Sequence, residues 1–211
     1  MTLHIFNPEN DLALACPSPH FIPPASARQM ADDLSALPVW WAMRGDAVCV
    51  ASVEAARRWA EETGGICPEV KWVGRDGLPS DADVAPWGWS PLMVQRLLTG
   101  GADRSRLPDE ARLARYRELS NRRHAVDMLA YLCGSGSDLG QKWRDRLCGV
   151  SYYCTGEQDI IQRMRQYPET LLKAPWSGSG KGLRLGRGGY VPPLSGWCGR
   201  QLREQGGVIV E

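Results

Sequence analysis

Short apolar runs alternate with helical patterns along the first half of the chain, and this alternation restricts the fold to layered α/β structures. The runs are only a few residues long, which favours buried strands over buried helices. Strands are predicted over residues 3–6, 39–43, 47–51 and 69–73. Helices are predicted over residues 26–37, over residues 53–63 with Ser52 as the cap, and from Ser90-Pro91 to Gly100-Gly101. The first half is therefore expected to form a small open α/β domain.

The pattern changes near residue 110. Residues 108–133 are helical and rich in Arg, with a break at residues 119–121 where Ser120 could cap the second helix. Residues 134–137 form a flexible Gly-Ser stretch. Beyond it, the predicted strands are 150–153, 170–174, 183–186 and 208–210, and the predicted helices are 157–166 and 194–205. The change divides the chain into two predicted domains, residues 1–110 and 111–211.

Charge is distributed unevenly along the 211 residues, although the total is close to zero. Lys and Arg number 25 and Asp and Glu 24, a net charge of +1 that gives no reason to expect a nucleic-acid or membrane partner. Residues 1–95 hold 6 basic and 12 acidic side chains, whereas residues 96–187 hold 17 and 10. The basic second half suits an anionic ligand such as a nucleoside triphosphate, and the alternative is two solvated faces of opposite charge.

The sequence shows no targeting or membrane segment. No apolar run approaches the roughly 20 residues of a membrane-spanning helix, and the first residues lack the basic and apolar segments of a signal peptide. We therefore expect a cytoplasmic protein. The seven cysteines are scattered without a Cys-x-x-Cys pair, so we expect reduced thiols and no metal site in this chain.

A Gly-rich loop after a short strand is the most informative local motif. The strand delivers Lys173, and the loop that follows contains small or basic residues, namely Ser177, Gly178, Ser179, Gly180, Lys181 and Gly182. Glycines let the backbone close around a ligand, and successive N–H groups can bind phosphate. A P-loop is excluded because Pro175 and Gly182 occupy its required Gly and Ser/Thr positions. A dinucleotide fingerprint is excluded because a strand follows the glycines instead of a helix.

What remains is a strand–loop–strand hairpin that could lie over phosphates as a flap, with a flexible surface hairpin as the alternative. The chain then continues through a helix to an apolar strand that ends at Glu211. A carboxylate at that position could accept a hydrogen bond from the amino group of adenine. The alternative is a solvated residue at the end of a strand.

Together these segments resemble the ATP-grasp superfamily. The matching pieces are Leu-Leu-Lys173-Ala, the flap Ser-Gly-Ser-Gly-Lys-Gly-Leu-Arg and the strand Val-Ile-Val-Glu211, in that order and with a helix before the last strand. The resemblance implies that Lys173 contacts the α-phosphate and adenine, that residues 177–182 cover the β- and γ-phosphates, and that Glu211 meets the adenine amino group. It also implies that Arg122, in Leu-Ser-Asn-Arg, is the counterpart of a basic ATP-binding residue.

The resemblance sets expectations for the whole chain as well. Residues 111–211 would form the first, incomplete α+β half of an ATP-grasp nucleotide-binding fold, preceded by a small open α/β pre-ATP-grasp domain. The opening residues, His-Ile-Phe-Asn-Pro-Glu-Asn-Asp-Leu-Ala-Leu-Ala, are similar to uncharacterised ATP-grasp-like proteins of bacteria. The implied cofactors are ATP and Mg²⁺, and the Mg²⁺ ligands of this family lie beyond the strand that contacts adenine. We therefore expect a truncated chain that is inactive alone.

A polar turn follows the first predicted strand. It contains two amides and two carboxylates, those of Asn7, Glu9, Asn10 and Asp11. Open α/β sheets bind ligands at the carboxyl ends of their strands, so this turn could hold an amino or hydroxyl group of a substrate. The alternative is that Asn7 caps a helix with Pro8 at its first position, and that Glu9 favours the helix dipole.

The predicted function is ATP binding as part of an ATP-dependent carboxylate–amine ligase that acts through an acyl-phosphate. Its partners would be a nucleotide and a small-molecule substrate. The alternative is a non-catalytic nucleotide-binding or protein-interaction module with a degenerate ATP-grasp fold. A nucleic-acid-binding function for the Arg-rich residues 104–123 is disfavoured because Tyr116 is the only aromatic residue among them.

Overall fold

The computed structural model describes residues 1–134, 146, 148–178, 180–187 and 189–211. These residues form two compact units, Met1–Arg117 and Glu118–Glu211, so the predicted boundary after residue 110 lies inside the first unit. The fold is mixed α/β, with one parallel and one antiparallel sheet of four strands each. In the described part of the chain, no helix has both the length and the apolar character needed to cross a bilayer.

The first unit is built on the parallel sheet, whose strand order is β3-β2-β1-β4. Its strands are β1 (Thr2–Ile5), β2 (Ala47–Cys49), β3 (Lys71–Val73) and β4 (Asp83–Pro86). Its helices are α1 (Asn10–Ala15), α2 (Ala25–Asp33), α3 (Val53–Glu62), α4 (Pro91–Thr99) and α5 (Glu110–Leu119), the last of which ends two residues past the unit boundary. Leu37–Trp40 and Arg104–Arg106 are 3-10 helices. Because the strands are parallel, their carboxyl ends lie at one edge of the sheet.

Local signals fix the starts of two helices in this unit. The Ser52 hydroxyl accepts a hydrogen bond from the Ala55 N–H (3.2 Å) at the start of α3. The Ser90 hydroxyl accepts one from the Met93 N–H (3.4 Å), and Pro91 occupies the first position of α4. Each cap satisfies a backbone donor that the helix itself leaves unpaired, which is why both helices were predictable.

In the first unit, one prediction is wrong and one strand was not predicted. Residues 39–43 do not form a strand, because the apolar run belongs to the 3-10 helix Leu37–Trp40. Pro38 is in its first turn, where the fixed φ of proline suits a helix, and a short apolar run cannot by itself separate a buried strand from a buried helix. The edge strand β4 was not predicted. Asp83 and Pro86 are poor strand formers, and pairing with β1 overrides that preference.

The second unit is built on the antiparallel sheet, whose strand order is β5-β8-β6-β7. Its strands are β5 (Tyr152–Cys154), β6 (Glu169–Lys173), β7 (Leu183–Arg187) and β8 (Val208–Val210). Its helices are α6 (Arg123–Cys133), α7 (Glu157–Gln166) and α8 (Pro192–Gln205). The predicted flexible stretch at residues 134–137 lies outside the described residues except for Gly134.

The two faces of this sheet differ. Side chains from one face pack with α7 and α8 in a core that includes Ile160, Leu172, Cys198, Val208 and Val210. The neighbouring positions on β6, which include Lys173, are only half-buried because side chains alternate between faces along a strand. On this second face Lys173 lies beside Ile209 of β8, which is buried.

The predicted Ser120 cap is also wrong. Helix α6 begins at Arg123, and Arg122 occupies the position before it without a side-chain cap. The Asn121 side-chain oxygen accepts a hydrogen bond from the Arg123 N–H (2.9 Å), so an amide replaces the serine in that local role.

Candidate functional site

Lys173 and Glu211 lie on adjacent strands and form an ion pair. The backbone of Leu171 exchanges hydrogen bonds with that of Glu211, with N···O distances of 2.7 and 3.0 Å. Lys173 is two residues further along β6, and therefore on the same face of the sheet as Leu171. Its Nζ contacts Glu211 Oε2, and the two side chains are 24% and 35% exposed. The fold thus brings together two residues that the sequence predicts for nucleotide binding.

Ser151 is a third residue at this position, and sequence reasoning missed it. Its hydroxyl donates a hydrogen bond to Glu211 Oε1 (3.2 Å), so each carboxylate oxygen of Glu211 has a partner. Ser151 immediately precedes β5, the strand that pairs with β8. A single serine 60 positions from Glu211 gives no sequence signal, because only the antiparallel pairing of β5 and β8 places them side by side.

The Gly-rich loop joins β6 to β7 and is closed at its base by the backbone. Ala174 N–H donates to the Gly182 carbonyl (2.8 Å). A side chain on Gly182 would place its Cβ 2.2 Å from Ser177 Oγ, so only glycine fits. Gly180 has φ +73°, a left-handed conformation that glycine adopts without strain. Gly178 and Lys181 are joined by a backbone hydrogen bond (3.2 Å), whereas Ser179 lies outside the described residues.

Arg122 holds this loop through its guanidinium group. Nη1 donates to the Ala174 carbonyl (2.6 Å) and to Ser177 Oγ (2.7 Å), and Nη2 donates to the Ser177 carbonyl (2.6 Å). The Arg122 backbone N–H also donates to the Pro175 carbonyl (3.1 Å). Ser177 is buried, so its hydroxyl serves as an internal anchor in this structure. Arg122 therefore places a positive charge at the base of the loop and fixes the conformation there.

The polar turn after β1 has a different structure from the predicted cap. The Asn7 side chain donates to the Gly88 carbonyl (2.8 Å) and accepts from the Gly88 N–H (3.1 Å). Helix α1 begins at Asn10, so the prediction that Asn7 caps it is wrong. The amide of Asn7 is more strongly fixed by two bonds to the loop after β4 than it would be by one bond to a helix terminus. Asp11 is exposed in the first turn of α1.

Glu9 is the buried acid of this turn. Its side chain is 2% exposed, and Oε1 contacts Arg96 Nη1 on α4. Its second oxygen, Oε2, has no hydrogen-bond partner among the described residues. Asn7 and Glu9 both line a cavity of about 450 Å³ in the first unit, whereas Asn10 and Asp11 do not. The four predicted substrate-binding residues are thus divided between a cavity and its surroundings.

Cysteine and metal chemistry add little to these sites. All seven cysteines are free thiols. Burial raises the pKa of Cys154 to about 12 and the pKa of Cys198 to about 11, so both thiols stay protonated near neutral pH and are poor nucleophiles. Among the described residues, no three His, Cys, Asp or Glu side chains are grouped so that they could hold a metal ion.

The chain was compared with known proteins. It matches no model of a known protein family, and no curated protein is similar to it in sequence.

Proposed function

We propose that the Glu118–Glu211 unit binds ATP as the first half of an ATP-grasp fold, and that it acts as part of an ATP-dependent carboxylate–amine ligase. The observation that supports the proposal is the convergence of three elements on one sheet. Strand β6 carries Lys173, the β6–β7 connection is the Gly-rich loop, and β8 leads directly into Glu211. Strand order and antiparallel register bring these elements together although they are separate in sequence.

A bound nucleotide could replace the contact between Lys173 and Glu211 with one contact to each side chain. Without a ligand, the ammonium and the carboxylate neutralise each other. A bound ATP would offer a phosphate to Lys173 and the adenine amino group to Glu211, so each charge would keep a partner. Both side chains are partly exposed, so water can partner each charge while the pair opens. The nucleotide would then take the place of that water.

The Gly-rich loop suits the phosphate chain. Arg122 and Ser177 fix its base, and Gly178, Gly180 and Lys181 are the described residues of its tip. Lys181 at that tip adds a positive charge to those of Arg122 and Lys173. Preorganised positive charge around phosphates is the main contribution a protein makes to phosphoryl transfer.

In the proposed reaction a substrate carboxylate takes the γ-phosphoryl group of ATP and ADP leaves. An amine then attacks the acyl-phosphate and displaces inorganic phosphate, which forms the amide. The residues of this chain would bind the nucleotide and neutralise its phosphates. Lys173, Lys181 and Arg122 would carry the positive charge, and Glu211 would orient adenine. The Mg²⁺ that accompanies ATP would be held by residues outside this set.

Thermal unfolding of the 211-residue chain with and without Mg·ATP tests the proposal. A ligand at 100 times its Kd stabilises the native state by about 2.7 kcal/mol, so wild-type protein should melt several degrees higher with ATP. We expect Lys173→Met to lose this shift. The matched control is Lys71→Met, an exposed lysine of the first unit, which should keep it. An unchanged shift in Lys173→Met, or no shift in wild type, would contradict the proposal.

The same assay separates adenine recognition from general phosphate binding. Guanine has a carbonyl where adenine has its amino group, so the Glu211 carboxylate should disfavour GTP. We expect a larger shift with ATP than with GTP for wild type, and equal shifts for Glu211→Ala. A protein-interaction module without a nucleotide site would show no shift with either nucleotide.

A further inference from the structure

The cavity of the first unit lies at the carboxyl edge of the parallel sheet. Its lining includes Ile5 and Cys49, the last residues of β1 and β2, together with residues of α2 and α4. Its volume of about 450 Å³ is within the range of small-molecule sites. Open α/β sheets bind their ligands at this edge, where loops and helix ends supply polar groups.

Three basic and three acidic side chains line this cavity, so their charges balance. Arg96 contacts Glu9, and Arg75 contacts Asp32. Arg28 and Asp76 also line the cavity, are exposed, and have no ion-pair partner among the described residues. A ligand rich in phosphate would require a clear excess of positive charge, which the cavity does not have. A ligand of small net charge that carries one anionic group fits better.

Glu9 supplies the complementary feature. Its carboxylate is almost completely buried, and Arg96 satisfies only Oε1. A structural role for the ion pair explains that contact but leaves Oε2 without a partner. Buried carboxylate oxygens are normally hydrogen-bonded, because an unsatisfied one costs stability. Oε2 also has almost no solvent-accessible surface, so a ligand ammonium would supply the missing donor once the Glu9 side chain turns this oxygen toward the cavity.

The rest of the lining is largely apolar. Leu92, Met93 and Leu97 of α4 are buried and line the cavity, as does Phe6. Apolar surface of this kind favours a hydrocarbon side chain, because burial removes it from water. The cavity therefore combines an acceptor for an ammonium, a cation for a carboxylate and an apolar wall.

We infer that this cavity binds a small amino-carboxylate with an apolar side chain. Glu9 receives the ammonium, Arg28 receives the carboxylate, and the α4 residues pack against the side chain. The inference concerns the first unit alone and does not depend on nucleotide binding. Failure of one proposal therefore leaves the other unaffected.

Calorimetric titration of the chain, with ATP absent, tests the ligand class. The probes are L-leucine, L-methionine, L-phenylalanine and L-valine, with two analogues of leucine as controls. 4-Methylpentanoate lacks the ammonium, and 3-methylbutylamine lacks the carboxylate. We expect at least one amino acid to bind, and its analogues to bind at least about ten-fold more weakly, since each loses a charge-assisted hydrogen bond. Absence of binding by all four up to about 10 mM, or equal binding of the analogues, would overturn the inference.

Variants then assign the two ends of the ligand. Glu9→Gln should weaken binding of the amino acid at least about ten-fold and leave 4-methylpentanoate unaffected. Arg28→Ala should weaken binding of the amino acid and of 4-methylpentanoate, and should leave binding of 3-methylbutylamine unaffected. Arg28 is exposed, so this variant tests the site even where Glu9→Gln perturbs folding. Arg57→Ala, an exposed arginine outside the cavity, is the matched control and should change nothing. Unchanged amino-acid affinity in Arg28→Ala would overturn the assignment.

Discussion

Each unit holds an ion pair in its candidate site, and the two pairs differ in how far their carboxylates are removed from water. In the first unit, the Glu9 side chain is 2% exposed and one of its oxygens has no partner among the described residues. In the second unit, the Glu211 side chain is 35% exposed and both oxygens have partners, Lys173 and Ser151. The carboxylate is thus almost fully desolvated in the first unit and partly solvated in the second, whereas the Arg96 side chain (42% exposed) is more accessible than that of Lys173 (24%).

The exposure of the carboxylate determines which ion pair can change partners. Separating a buried carboxylate from its arginine leaves an uncompensated charge in a poorly solvated place, so Glu9 and Arg96 should stay together. The Glu211 carboxylate is partly exposed and has water as an alternative partner, so Lys173 and Glu211 can separate for a ligand. The Glu9–Arg96 pair therefore suits a fixed binding surface, and the Lys173–Glu211 pair suits exchange with a nucleotide.

Removal of the Arg96 guanidinium should lower the free energy of unfolding more than any other substitution proposed here. Arg96→Met keeps much of the side-chain length but leaves Glu9 buried without its cation. We expect the free energy of unfolding to fall by about 3 kcal/mol in urea denaturation. The double variant Glu9→Gln with Arg96→Met removes both charges and should recover part of the loss. A loss below about 1 kcal/mol in the single variant would mean that Glu9 is better solvated than its burial indicates.

A smaller effect is expected at the base of the Gly-rich loop, the part of the second site that is closely packed. Gly182→Ala would place Cβ 2.2 Å from Ser177 Oγ, and Arg122 holds that hydroxyl. We expect overpacking to lower the free energy of unfolding in urea by about 2 kcal/mol. The ATP-dependent shift in melting temperature should also become smaller.

The matched control is Gly196→Ala. Gly196 lies within α8, and a Cβ there meets nothing within 4 Å. Alanine favours the helix by about 1 kcal/mol over glycine, so this variant should be more stable than wild type. Equal effects of the two substitutions would contradict the close packing of Gly182 on Ser177.

The sequence predicted best the features that local chemistry determines. The caps at Ser52 and Ser90 are examples, because each acts on a helix that begins at the next residue. Alternation of apolar runs and helical patterns likewise predicted both the α/β class and most strands. Strand β4 was missed because its residues are poor strand formers, and its pairing with β1 depends on the completed sheet.

Contacts between residues far apart in the sequence could not be predicted. Arg122 and Ser177 are 55 positions apart, and Glu9 and Arg96 are 87 positions apart. No periodicity or motif links such residues, because only the assembled sheet and helices place them side by side. Lys173 and Glu211 could be proposed from the resemblance to a family, yet their direct ion pair could not, since it depends on the register of β6 and β8.

The smallest change in the free energy of unfolding is expected when the Lys173–Glu211 pair is broken. Lys173→Met removes an ammonium from a position where the lysine is 24% exposed, and Glu211 keeps Ser151 and water as partners. We expect the free energy of unfolding to fall by less than about 1 kcal/mol in the urea assay used for Arg96→Met. A loss as large as that of Arg96→Met would mean that Lys173 stabilises the fold itself. The contrast between a fixed and an exchangeable pair would then fail, even where the same variant abolishes ATP binding.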